Sequence, residues 1–202
     1  MDFGTRKKDS GLFKILICLI ANFTFFGICY YIGLPMHMEH VGSFYAAAAF
    51  GFVPAIIVAV ISQLCYALFY FGFSYVLMLV PVALVLLLIA SAVHYSWLDT
   101  IVSSLGTMTM ATLINLALML LISLMIGRAF LGYSCWTDIY DTLTRHLQYN
   151  AFEASLITVV PFAVINTFSA WIVALFAYRL SPKQATLGFS DTIYKKRLQN
   201  RK

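Results

Sequence analysis

Residues 41–93 read VGSFYAAAAFGFVPAIIVAVISQLCYALFYFGFSYVLMLVPVALVLLLIASAV, with no ionisable carboxylate, lysine or arginine anywhere in the run. A bilayer-spanning helix needs about 20 apolar residues. The run is therefore long enough for two helices at least. Gly51-Phe52-Val53-Pro54 interrupts it with a helix stopper followed by a helix starter. A split there predicts three segments: a short helix at about Met38–Phe50, a second at Pro54 to about Tyr70, and a third at about Ser74–Val93. Thirteen residues cover only about 20 Å of a core roughly 30 Å thick, so the short helix needs protein around it. Pro81 falls inside the third helix, where a kink is expected.

Outward from this run the chain is of the same character. It has 202 residues, 62% hydrophobic and 10% charged, with a mean hydropathy of +0.89. Soluble domains carry about 25% charged residues, so the composition excludes a soluble enzyme, a disordered chain and a collagen-like repeat. Further apolar runs occupy Leu12–Leu34, Ile101–Ile126 and Ala154–Leu180. The first is of spanning length and has no A-x-A cleavage pattern, which predicts a membrane helix and no signal peptide.

Thirteen basic and eight acidic residues give a net charge of +5, and most of the bases sit at the ends. Between 15 and 178 only Glu39, Asp99, Arg128, Asp138, Asp141, Arg145 and Glu153 are ionised at neutral pH. Bases flanking apolar segments read as cytoplasmic anchors facing anionic lipid, with no nucleic-acid partner. Basic ends on one side require an even number of crossings. The expected architecture is an all-α, polytopic, six-helix bundle over 12–183 in the cell membrane. A basic N-terminus at 1–11 and a basic tail at 184–202 are both expected to be cytoplasmic. The loops near 35–40, 70–74 and 128–153 then face outside, and 94–102 faces inside. The tail reads as a short helix lying on anionic lipid or as the start of a linker. Arg128 and Arg145 fall outside in this arrangement, so the inner loops follow the positive-inside pattern less well than the ends do.

Cysteines occur at 18, 29, 65 and 135 without a C-x-x-C pair, which signals neither a zinc site nor a disulfide framework. No phosphate loop, H-E-x-x-H or nucleophile elbow is present, so neither catalysis nor a cofactor is expected.

Leu34-Pro35-Met36-His37-Met38-Glu39-His40-Val41-Gly42-Ser43 resembles a segment of the substrate-binding S components of energy-coupling factor (ECF) transporters: Leu-Pro, an acid, then Gly-Thr opening a short helix. Ala49-Phe50-Gly51-Phe52-Val53-Pro54-Ala55 is similar to the Gly-Pro hinge of that family, and Asn166-Thr167-Phe168-Ser169-Ala170-Trp171 to its last helix. Glu39 stands where the family usually has Asp, and Asn166-Thr167 where an acidic–basic pair is common. The first helix lacks the Ala-x-x-x-Ala face of many S components. The resemblance implies a six-helix subunit that captures a vitamin-like micronutrient and works with a coupling protein and an ATPase pair. Related membrane regions also serve as sensor modules beside histidine kinases and phosphatases, which is the alternative reading.

The candidate substrate-binding residues are His37, Glu39, His40, Asn115, Trp136, Asp138 and Asn166. Ionisable groups within a membrane region mark functional sites by default. His37, Glu39 and His40 admit three readings: a ligand contact, an outer loop without a specific role, or a metal site lacking a matched third ligand. Trp136 and Asp138 belong to a polar stretch at 128–153 that reads either as a lid or as an amphipathic helix at the membrane interface. Asn22, Gln63, Asn115 and Asn166 are amides in apolar helices, suited to interhelical bonding. Asn166, at the family's special position, is equally a ligand contact. The small pairs Ala47/Gly51, Ala55/Ala59 and Ala170/Ala174 suit close internal packing.

Overall fold

The computed structural model describes residues 11–32, 38–126 and 134–180, and every regular element among them is helical. His37, the 127–133 connection and the basic terminal segments lie outside the described residues. In chain order the helices are α1 (Gly11–Ile32), α2 (Val41–Phe50), α3 (Phe52–Tyr66), α4 (Leu79–His94), α5 (Ile101–Ile126), α6 (Ser134–Arg145) and α7 (Ala151–Leu180). A π-helical turn, Ala67–Phe71, continues α3, and a 3₁₀ segment, Phe73–Met78, leads into α4.

Among the described residues five stretches are long and apolar enough to cross a membrane: Gly11–Ile32, Phe52–Phe71, Phe73–His94, Ile101–Met125 and Ala151–Leu180. Their surfaces expose Leu, Ile, Val and Phe, as lipid-facing helices do. The chain is an all-α, multi-pass membrane bundle. The sixth segment counted from the sequence is α2. Its 10 residues extend only about 15 Å, and it is enclosed by α1, α3, α4 and α7.

Local chemistry sets the turns. Gly51 (φ +94°) reverses the chain directly from α2 into α3, a backbone region that side chains disfavour. Pro54 and Pro81 both occupy the first turn of their helices, where a missing N–H has no intrahelical partner to lose. The kink expected at Pro81 is thus replaced by a change of winding ahead of it, from 3₁₀ to α. Asn150 caps α7 reciprocally. Its side chain accepts the Glu153 N–H at 2.9 Å, and the Glu153 carboxylate accepts the Asn150 N–H at 3.1 Å.

The bundle has two ends. At the base, Lys14 lies over the Phe50 ring (5.3 Å) and the Tyr178 hydroxyl donates to Asp99. This brings together the start of α1, the α2–α3 reversal, the α4–α5 connection and the end of α7. At the opposite end, the crown, Phe26 of α1 stacks on Tyr66 (4.4 Å) and Phe71 packs on Tyr75 (4.5 Å). Antiparallel α5 and α7 are joined by three polar rungs: Trp171 Nε1 to Ser104 Oγ (3.0 Å), Asn115 Nδ2 to Thr167 Oγ1 (3.1 Å), and the Ser123–Ser155 hydroxyl pair (3.1 Å). Ala47, Ala55, Ala59, Ala170 and Ala174 are buried in the base core, so the small pairs serve internal packing.

Candidate ligand site

The site begins with a helix that starts inside the bundle. The first amides of a helix have no intrahelical acceptor and need one from elsewhere. Here α1 supplies it. Asn22 Oδ1 accepts the Gly42 N–H at 2.6 Å and the Ser43 N–H at 3.2 Å. Asn22 Nδ2 donates to Ser43 Oγ and to Ser62 Oγ of α3, both at 2.9 Å. One buried amide therefore ties three helices. Gly42 is required by the same contact, since a Cβ there would lie 1.9 Å from the Cys18 carbonyl oxygen.

This close approach sets the position of the residues just before α2. Glu39 is 1% exposed and His40 is 2% exposed, which places an acid and an imidazole in the interior of a membrane bundle. The Tyr75 hydroxyl donates to Glu39 Oε1. The Tyr66 hydroxyl donates to the Glu39 main-chain carbonyl at 3.3 Å. His40 Nε2 stands 4.0 Å from Glu39 Oε1, and the imidazole ring lies near Phe44 and Tyr66. Gln63 Nε2 donates to the Tyr75 carbonyl at 2.7 Å, satisfying backbone at the irregular 3₁₀ segment.

Two adjoining cavities open beside this cluster. The first is lined by Glu39, His40, Tyr75, Met78, Pro81, Val82, Asn115, Met119 and Asn166. The second is lined by Phe44, Val82, Val85, Asn115, Asn166, Thr167 and Ala170. Each has a volume of about 10 Å³, the room of about one water molecule. Val82, Asn115 and Asn166 belong to both. The Asn115 amide donates to Thr167, while Asn166 Oδ1 is buried without a hydrogen-bond partner. A buried acceptor left unmet costs roughly 1–3 kcal/mol, which a ligand N–H placed there would recover.

Of the residues expected from the sequence, the fold brings Glu39, His40, Asn115 and Asn166 together although α2, α5 and α7 are far apart in the chain. His37 lies outside the described residues. Trp136 faces inward from α6, edge-on to Phe162 at 5.9 Å, with its indole N–H buried and unbonded, and lines neither cavity. Asp138 sits on the exposed side of the same helix. The helix is amphipathic, with Trp136 and Tyr140 buried and Asp141 paired to Arg145 at 3.2 Å in solvent. Among the described residues no group of three His, Cys, Asp or Glu side chains is placed to hold a metal ion. Tyr66 and Tyr75 were not singled out by the sequence. The only local sign was the Gly72-Phe73-Ser74 break just ahead of Tyr75, because a tyrosine in an apolar run gives no indication that its hydroxyl faces an acid.

The cluster offers a carboxylate, an imidazole, a phenol and two amides, and among the described residues neither cavity wall has a lysine or arginine. Searches against family models, curated proteins and solved structures found nothing that matches this chain.

Proposed function

We propose that this protein is the substrate-capturing membrane subunit of an importer of the S-component type, taking up a small micronutrient through the crown with its ends in the cytoplasm. The observation that carries the proposal is the buried Glu39 cluster beside a cavity where Asn166 Oδ1 lacks a partner. Maintaining an acid, an imidazole and unmet amide groups inside a lipid-facing bundle opposes stability, and such groups mark ligand or ion paths. The resemblance around Pro35–Ser43 supports the same reading, as does that of the last-helix segment from Asn166 to Trp171, apart from the Asn166-Thr167 pair itself.

Cavities of this size hold no vitamin, so capture requires the wall to part. The wall segment suited to move is the one lacking regular α-helix. Tyr75 and Met78 lie on 3₁₀ backbone directly after Gly72 (φ +83°), and a π-helical turn precedes it. Interruptions of this kind recur at hinges and functional sites because their hydrogen bonds are weaker or fewer.

The test is direct. Full-length protein purified in lipid nanodiscs is analysed by mass spectrometry for a co-purifying small molecule, and by thermal shift against a broad nutrient panel. A bound nutrient is expected, with affinity reduced about tenfold or more by Glu39→Ala through loss of a charge-assisted hydrogen bond. A protein that stays empty against the whole panel overturns the proposal. Co-purification with an ATPase pair and coupling protein supports the transport role. Co-purification with a kinase or phosphatase moves the function to sensing.

A further inference from the structure

We infer that the protein binds one ordered water molecule in the cavity walled by Glu39, His40, Tyr75, Asn115 and Asn166, held between the two amides, and keeps the adjoining cavity dry. This water belongs to the protein before any ligand enters, whatever the captured molecule is.

At about 10 Å³ the first cavity has the room of one water molecule. Room alone does not hold a water, which needs about two to four polar partners; cavities without them stay dry. Asn166 supplies a partner still unmet. Its side chain is 8% exposed, and Oδ1 has no hydrogen-bond partner. The last torsion of an asparagine is soft, so this oxygen can turn to the cavity at little cost. Asn115 is buried and gives one of its two amide hydrogens to Thr167, which leaves the other for a water to accept. A water that donates to Asn166 and accepts from Asn115 joins α7 to α5 across the cavity. Its second hydrogen meets a wall that includes the Glu39 carboxylate, whose two oxygens together offer about four acceptor positions.

The second cavity has the same size and the opposite chemistry. Phe44, Val82, Val85 and Ala170 are apolar. Thr167 Oγ1 is already engaged, donating to the Ala163 carbonyl at 2.8 Å and accepting from Asn115 at 3.1 Å. The other polar residues of this wall, Asn115 and Asn166, are shared with the first cavity. A water here would have to take its partners from the first one.

The experiment uses the full-length protein in lipid nanodiscs without added nutrient. Its structure is determined at a resolution that shows ordered water, and water-to-side-chain transfer is read by solid-state NMR on nitrogen-labelled asparagines. Density is expected in the first cavity about 3 Å from the Asn166 amide, and none in the second. The water signal should reach Asn115 and Asn166 and not Asn22, which is equally buried but bonded to Gly42, Ser43 and Ser62 and lines neither cavity. Asn166→Leu keeps nearly the same shape without the acceptor. The density should be lost and the melting temperature should fall; in a dry cavity the same change removes an unmet acceptor and raises it. If that variant does not fold, density and transfer in the unaltered protein decide.

A dry first cavity, water in the second alone, or a raised melting temperature in Asn166→Leu overturns the inference. A molecule other than water in the first cavity also overturns it and leaves the proposed function standing. A hydrated cavity in a protein that captures no nutrient upholds the inference and overturns the proposed function.

Discussion

The base and the crown of this bundle are built from different side chains on different backbone. At the base, Ala47, Ala55, Ala59, Ala92, Ala170, Ala174 and Ala177 are buried on regular α-helix, with Leu86, Ile89 and Trp171 filling the space between them. Small residues let helix axes approach closely, and in lipid such packing is a main source of association. At the crown the core is Phe26, Tyr66, Tyr75, Trp136 and Phe162, meeting in stacked and edge contacts, and the backbone passes through a π turn, Gly72 and a 3₁₀ segment. The polar layer of Asn22, Glu39, His40, Asn115 and Asn166 lies between them. The contrast teaches that the polar layer is mounted on a floor of closely packed regular helix and covered by a roof of irregular winding.

The largest expected effect breaks the mount itself. Gly42→Ala places a methyl carbon against the Cys18 main chain, which no rotamer change relieves. A loss of about 3 kcal/mol or more is expected, or failure to fold, read as resistance to denaturant in micelles. A variant with wild-type stability would show that α1 and α2 do not meet as described.

The next test compares the halves directly. Ala59→Leu, fully buried in the base, should cost about 1–3 kcal/mol by overpacking. Ala67→Leu, equally enclosed but on the π turn, should cost about half as much because the irregular backbone can yield. Equal costs in the same unfolding assay would remove the distinction between floor and roof. The smallest effect belongs to the outer face of α6. Arg145→Ala deletes an exposed i,i+4 ion pair and should shift stability by only about 0.3–0.5 kcal/mol. A larger loss would mean that Arg145 anchors the crown.

Much of the fold was legible because the decisive features are local. Gly51 ended the short helix as expected, giving Val41–Phe50 against the anticipated Met38–Phe50, and the third segment, anticipated at Ser74–Val93, runs Phe73–His94. Pro81 was read as a kink because its position within the helix depended on where α-winding begins, and the 3₁₀ lead-in leaves no periodic trace in a uniformly apolar run. Glu39 and Asn166 stood out as rare polar residues in apolar surroundings. Asn22 was readable as interhelical glue, but its specific task, capping α2 from another helix, was not. That role exists only because Gly42 lets α1 approach to contact distance. Trp136 and Asp138 were expected at the site together. They are two positions apart on α6 and so point to different sides, one into the crown and one into solvent.

Taken alone, the sequence determined that this chain lives in a bilayer as a helical bundle, and where its helices break. Hydropathy accumulates residue by residue, and glycine and proline act on their own turn of chain. The tertiary structure alone decided that Glu39, His40, Tyr75, Asn115 and Asn166 share one cavity wall and that Asp138 does not. Which polar groups meet depends on helix rotation and separation. In an apolar bundle these are set by steric fit between distant residues such as Cys18 and Gly42, and no stretch of sequence contains both sides of that contact.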